Sequence, residues 1–505
     1  MSGSFILLNC CFGKVDYIYT SHLTHIYMKQ LFILFIAIFA FANCYAGSIN
    51  YQPNLSVALK KAKETGKPLF VTITPPAIVV KKLPSTTLFK NAFEDDAVAD
   101  FYNKSFVNIK FSFTDSAYKA FKLMYPVRLN TYPVYIFLDS EGEPFYRGLG
   151  VTTPIAKTYL DMGNEALRLL ALGKTPGYFK RKQQNGKLSQ NELKEYITAR
   201  QQLSLFGNSN LIDEYVNNLT IQSLNNYNEV LFILRSGPIA YGKTYSLCYT
   251  NRKIIDSIYK TESLEIRREI NNHIIANTRN EAIRKRDNMM AQQLSNFVRS
   301  SWSKDYNRGN KAATEELLYY YSAIKDTLNY YRQAVWFYDT NYMKVSVDSI
   351  KKLKEIVQND MYQTMLKHTK ELNPNARVTE GPKPGSVKVT GRKPVIMGSP
   401  SITIPAADVP AVLNNAAYTF YTLGTRNPEY LTKALLWVKR AMELAPTNAQ
   451  YDTMAHILYR LGLVDEAILN QKKAIELART EKTIHDDNYV PNLKKELVKM
   501  QERKL

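Results

Sequence analysis

Apolar positions along this chain fall into three regimes. Between residues 55 and 171, apolar runs of strand length alternate with amphipathic stretches of helix length. Leu55 to Glu64 is amphipathic and stops at Thr65-Gly66, and Leu69-Phe70-Val71-Thr72-Ile73 follows as a buried-strand pattern. Ala92 to Tyr102 predicts a helix, and Phe106 to Phe111 alternates like a strand. Val134 to Leu138 and Phe145 to Gly148 predict two further strands around the turn Asp139-Ser140-Glu141-Gly142, and residues 154–171 close the unit as a helix.

From residue 178 to 373 the pattern changes. Pro238 is the single proline there, and apolar residues recur at intervals of three and four. That spacing predicts seven to nine helices packed as antiparallel hairpins. Leu317, Tyr321, Ile324, Leu328, Tyr331, Val335 and Tyr338 fall on one helix face, and Ile266, Ile270 and Ile274 on another. Breaks are predicted at Phe206-Gly207-Asn208, at Ser236-Gly237-Pro238 and near Tyr306 to Asn310. The aromatic stripe reads as core, the basic clusters Arg267-Arg268 and Arg284-Lys285-Arg286 as solvated faces, and Cys248 as a buried small hydrophobe.

Residues 374–410 form a third regime, rich in proline and glycine, and predict an extended linker rather than helix. Beyond it a period emerges. Ala434 and Ala441 in KALLWVKRAMELAP recur 33 residues later as Ala467 and Ala474 in DEAILNQKKAIELA. Pro446 follows the first unit as a helix stop, and Gly462 falls between two helices. A helix-turn-helix of this period with small residues at fixed sites resembles a tetratricopeptide repeat. The resemblance implies helical hairpins over residues 411–505 whose alanines allow close helix approach, and a concave face for a peptide or partner protein.

The N-terminal unit resembles a thioredoxin-like domain. The likeness is carried by ETGKPLFVTIT, FEDDAVADFYNKSFVNIKF and TYPVYIFLDSEGEPFYRGLG, in that order and spacing. It implies an α/β domain over residues 47–172, a cis-proline site at Pro133, and an active-site loop after the first long strand. In the redox members that loop carries C-x-x-C, with the first thiol activated by a helix N-terminus. Here the stretch is Pro75 to Leu83, and the matching positions hold Ala77 and Val80. No cysteine lies between Cys44 and Cys248, and thiol–disulfide exchange needs a thiolate. What the resemblance leaves is a peptide groove lined by Ala77, Val80, Tyr132 and Pro133, with Tyr132 at the position that pairs its backbone with an extended peptide.

Composition narrows the function classes. The chain has 505 residues, 45% hydrophobic and 22% charged, so it can bury sizeable cores. Four cysteines exclude a disulfide-rich scaffold. Sixty-six basic against 45 acidic residues give a net charge of +21, which favours anionic surroundings, whether phospholipid headgroups, cell-wall polymers of an envelope surface or nucleic acid, and by itself names none of them. Leu31 to Ala42 is the one long apolar run, too short for a comfortable membrane span of about 20 residues. Preceded by Lys29 and followed by Cys44-Tyr45-Ala46, it predicts a signal peptide over residues 28–46, with 1–27 as an upstream extension. Lipid anchoring through Cys44 is the lesser reading, because Asn43 stands where a lipobox wants a small residue.

Four histidines of the exported part, His273, His368, His456 and His485, are widely separated, and there is no H-E-x-x-H, G-x-S-x-G or Walker loop. Asp95-Asp96 and Asp486-Asp487 read as caps or solvated pairs. The sequence therefore predicts α/β plus all-α architecture. It predicts an exported, redox-inactive protein without cofactor, metal or nucleic-acid partner, periplasmic or extracellular, that binds another protein or peptide. The alternative is an oxidoreductase-related enzyme or chaperone using Cys248 or a partner's cysteines.

Overall fold

The computed structural model describes residues 48–74, 92–112, 116–125, 133–148, 150, 155–302, 305–350, 352, 355, 377–380, 387–390, 408–480 and 489–505. It is a small mixed sheet followed by many helices. The sheet strands are β1 (Tyr51–Gln52), β2 (Leu69–Thr74), β3 (Val107–Ser112), β4 (Val134–Leu138) and β5 (Pro144–Gly148), in the order β1-β3-β2-β4-β5. The first three pair in parallel, and β4 and β5 run antiparallel to their neighbours.

Alternation along the strands builds two apolar layers. Leu69, Val71 and Ile73 of β2 share one face with Ile109 of β3 and with Val134, Ile136 and Leu138 of β4. Helices α1 (Leu55–Thr65) and α3 (Ser116–Met124) cover that face through Ala58, Ala62, Tyr118 and Phe121. Phe70, Tyr135 and Phe137 point the other way, beneath α2 (Asp96–Ser105) and α4 (Ala156–Ala171). This second layer is aromatic: Phe70 lies 4.6 Å from Tyr102 and 5.0 Å from Phe137, ring centre to ring centre. Asp95 caps α2 by accepting from Ala97 and Val98, and Gly66 ends α1 with φ +68°.

The helical body runs α5 (Pro176–Asn185), α6 (Gln190–Gln202), α7 (Ser209–Asn217), α8 (Tyr227–Ser236), α9 (Lys243–Cys248), α10 (Arg252–Thr261), α11 (Leu264–Lys285), α12 (Asn288–Ser301), α13 (Tyr306–Ala323) and α14 (Thr327–Asn341). Among the described residues from 176 to 341 that makes ten helices, not seven to nine, since α9 is only six residues long. Breaks at Phe206 to Asn208 and at Gly237 fall as the turn residues require. The break near Tyr306 lies earlier, because Asp305 caps α13 by accepting from Arg308.

The long stripe from Leu317 to Tyr338 does not lie on one helix. The chain turns between α13 and α14 at Lys325, whose φ is +58°. Asp326 donates its backbone N–H to the Tyr321 carbonyl at 2.9 Å, and its side chain caps α14 at Asn329. Leu328 therefore swings out and is 68% exposed, whereas Tyr331 stays buried. The same six-to-one bond closes the turn at Arg286, where Asp287 donates to Ala282 at 2.9 Å. It recurs at Ser204, where Leu205 donates to Arg200, and at Gly462, where Leu463 donates to Leu458.

Strands β6 (Arg377–Glu380) and β7 (Val387–Thr390) pair as an antiparallel ribbon inside the stretch read as linker. That stretch also ends sooner than the composition suggests: α15 (Val409–Thr422) takes Pro410 into its first turn, where a missing N–H costs nothing. Helices α16 (Pro428–Leu444), α17 (Asn448–Arg460), α18 (Val464–Thr480) and α19 (Tyr489–Gln501) follow. One core joins α13 and α14 to these helices, centred on Trp437, Phe420 and Tyr331. Trp437 donates to Asp339 Oδ1 at 2.8 Å, and Lys433 Nζ reaches Asp339 Oδ2 at 2.7 Å. No described helix is long and apolar enough to cross a membrane.

Candidate functional site

Of the four residues read as a peptide groove, Ala77, Val80 and Tyr132 lie outside the described residues, as do Cys44 and residues 28–46. Pro133 is described: it is half-buried and leads directly into β4 beside β2. The structure does not bring any described thiol to that bend. Cys248 sits at the end of α9, in the helical core formed by Tyr245, Ile255, Ile258, Ile274 and Phe297. It has no accessible surface. Burial, helped by the Glu229 charge, pushes its thiol up to about 12. At neutral pH such a group is a packed hydrophobe and not a nucleophile.

The repeat positions are packed as close helix contacts need. Ala434, Ala441, Ala467 and Ala474 have no accessible surface, and Gly462 takes φ +85° in the α17–α18 turn. Pro446 is exposed between α16 and α17. Where α14 and α16 diverge, a groove of about 490 Å³ is lined by Val335, Pro428, Tyr430, Lys433 and Leu436. Leu436 is 44% exposed at its rim.

The basic clusters are not simply solvated. Arg284 and Lys285 both pair with the buried Glu281, at 2.5 and 2.9 Å, and the Arg284 hydrogen bond holds that carboxyl down at about 2. Arg286 donates to the Ile324 carbonyl and Arg267 to the Tyr259 carbonyl, so both tie neighbouring turns. Arg279 grips Glu316 through two bonds of 2.7 and 2.5 Å.

Two histidines acquire neighbours that sequence order hides. His273 meets the Arg235 carbonyl at 2.7 Å beside the 236–240 turn. His456 in α17 lies between Asp452 and Glu496, 3.6 and 3.7 Å away, with Tyr418 and Tyr421 beside it. The Asp452–His456 spacing of four is readable on a helix, but Glu496 arrives from α19. His368, His485 and Asp486-Asp487 lie outside the described residues. Among the described residues no group of three or more His, Cys, Asp or Glu side chains is arranged to hold a metal ion.

Compared with protein-family models and with curated proteins, the chain finds no match in either.

Proposed function

We propose that this chain is an exported, redox-silent thioredoxin-like domain joined to a tetratricopeptide-like helical body, and that the body binds another protein or an extended peptide. The observation that carries the reading is the fate of sulfur. The strand unit holds no cysteine, and Cys248 is sealed in the helical core. The alternation of helices and strands, with Pro133 leading into β4, supports the thioredoxin-like assignment. The buried alanines spaced by 33 residues support the repeat assignment, and the groove beside Leu436 offers apolar surface from Val335, Tyr430 and Leu436.

The test has two arms. In an insulin-reduction assay with dithiol recycling, the purified chain gives no turnover above the uncatalysed rate. A photo-crosslinking residue placed at Leu436 captures a discrete protein partner in the native cell, and one placed at the solvent-facing Lys60 does not. Turnover that disappears in Cys248→Ser would overturn the reading in favour of a single-thiol enzyme.

A further inference from the structure

Three ion pairs cross the helical body in the same sense. Lys194 of α6 reaches Glu229 of α8 at 3.1 Å, Arg235 of α8 reaches Glu269 of α11 at 2.9 Å, and Arg279 of α11 reaches Glu316 of α13 at 2.7 Å. The partners stand 35, 34 and 37 residues apart, and the cation always comes from the earlier helix. Helices α6, α8, α11 and α13 therefore neighbour one another in turn, although α7, α9, α10 and α12 separate them in sequence.

The cations of this row are already engaged. Besides its carboxylate, Lys194 Nζ lies 4.5 Å from the centre of the Phe232 ring, and the Arg279 guanidinium lies 5.3 Å from that of Tyr319. Each positive group is matched by one Glu, in a chain whose net charge is +21. The three pairs give a polyanion no excess of cation to neutralise.

Between the first two pairs the row opens into a cleft of about 340 Å³. Thr198, Gln201 and Gln202 line it from α6, and Asn228, Leu231 and Phe232 from α8, with the Arg235–Glu269 pair at its border. Two of the polar groups are occupied. The Thr198 hydroxyl donates to the Lys194 carbonyl at 2.8 Å, and Gln201 Nε2 donates to the Arg235 carbonyl at 2.7 Å. Gln202 and Asn228 are exposed, and their side-chain amides make no hydrogen bond to any described residue. A primary amide carries a donor and an acceptor side by side, as a peptide group does, so each can pair with one peptide N–H and one peptide C=O. Half-buried Leu231 and Phe232 add apolar surface to the same cleft.

We propose that the cleft between α6 and α8 binds an extended peptide segment of low charge, held by its main chain at Gln202 and Asn228 and by an apolar side chain at Leu231 and Phe232. The inference rests on the reading that the helical body binds a peptide, and it puts the contact at a surface other than the Leu436 groove. Amides recognise main chain whatever the sequence, and paired rungs repel neither sign of charge, so this site is built for fit rather than for electrostatic capture.

The probe is a phage-displayed library of random peptides about twelve residues long, selected on the full chain, with the enriched sequences synthesised and titrated by fluorescence polarisation. Their Kd should rise about tenfold in Gln202→Ala/Asn228→Ala, as the loss of two hydrogen bonds predicts, and stay level in Leu436→Ser. Between about 50 and 500 mM NaCl it should change by less than about twofold, because no net charge is screened. Both amides are exposed and unbonded within the chain, so the double variant should melt with the wild type. Peptides that weaken only in Leu436→Ser overturn the cleft and leave the binding reading standing. Acidic peptides whose affinity collapses with salt do the same. A library that enriches nothing overturns the cleft and the binding reading together.

Discussion

The side-chain amide of Asn277 donates to the carbonyl of Gly237 at 2.7 Å, forty residues away. It also donates to Ser236 at 3.1 Å, while its oxygen accepts from the Gly207 N–H at 3.0 Å. One buried side chain on α11 thereby satisfies the backbone of two separate turns, and Thr278 beside it accepts from Ala240 at 2.9 Å. Neither turn has a ladder partner for these groups, so Asn277 stands in for secondary structure.

Replacing Asn277 with Leu should therefore strand two buried carbonyls, those of Ser236 and Gly237, and leave the N–H of the exposed Gly207 to water. The expected loss is about 2–4 kcal/mol of stability, because unsatisfied buried polar groups carry their full desolvation cost. Urea denaturation followed by circular dichroism checks it. A midpoint unchanged from wild type would show that water replaces the amide.

Gly237 itself has φ +77°, and a Cβ there would stand 2.6 Å from the His273 backbone carbon and 2.7 Å from its oxygen. Backbone cannot retreat as a flexible side chain can. Gly237→Ala should cost about 2 kcal/mol or more, combining left-handed strain with the clash. Gly66, also left-handed at φ +68°, meets nothing within 4 Å. Gly66→Ala should cost only about 1 kcal/mol. Thermal melts of the two variants side by side check the difference.

Cys248 should resist Ellman's reagent in the folded chain from pH 7 to 9 and react at once in guanidinium. Its thiol ionises only near 12, so raising the pH across this window exposes no thiolate. Cys248→Ser should lower stability by about 1–3 kcal/mol through a buried hydroxyl. Rapid native labelling would contradict the burial.

Glu281 supplies a pH-dependent share of stability at the end of α11. Its carboxyl is held at about 2 by the Arg284 hydrogen bond, against an ordinary value of 4.5. A depressed carboxyl contributes fully above the unfolded value and loses its contribution as pH falls from about 4.5 toward 2. Arg284 and Lys285 are largely exposed, so solvent screening reduces the effect to about 1–2 kcal/mol. Stability measured between pH 2 and 6 should fall less steeply in Glu281→Gln than in the wild type.

Where the sequence was readable, the signal was local. The apolar runs of β2 and β4 predict strands because Leu69 to Ile73 and Val134 to Leu138 fill both layers of the sheet. Strand β1 has two residues and no period to detect. Helix α3 is a nine-residue helix between β3 and β4, where the order of elements asks for a helix without fixing its ends. The α13–α14 turn stayed hidden because Lys325 occupies a position where glycine would be expected, and the apolar spacing carries straight across it. Asp326 and Asp287, caps after such turns, were the visible clue. His456 illustrates the remaining gap: its helical neighbour Asp452 is local, while Glu496 is set by tertiary packing.

Leu203 and Leu205, from the turn after α6, are buried in the same apolar layer as Val71 and Ile136 of the sheet. Arg181 and Lys180 of α5 also pair with Asp139 and Glu143 at the β4–β5 turn. The two parts are thus not beads on a string. A fragment severed at residue 172 would leave a greasy floor uncovered, so anyone wishing to isolate the strand unit should carry the chain on past Leu205.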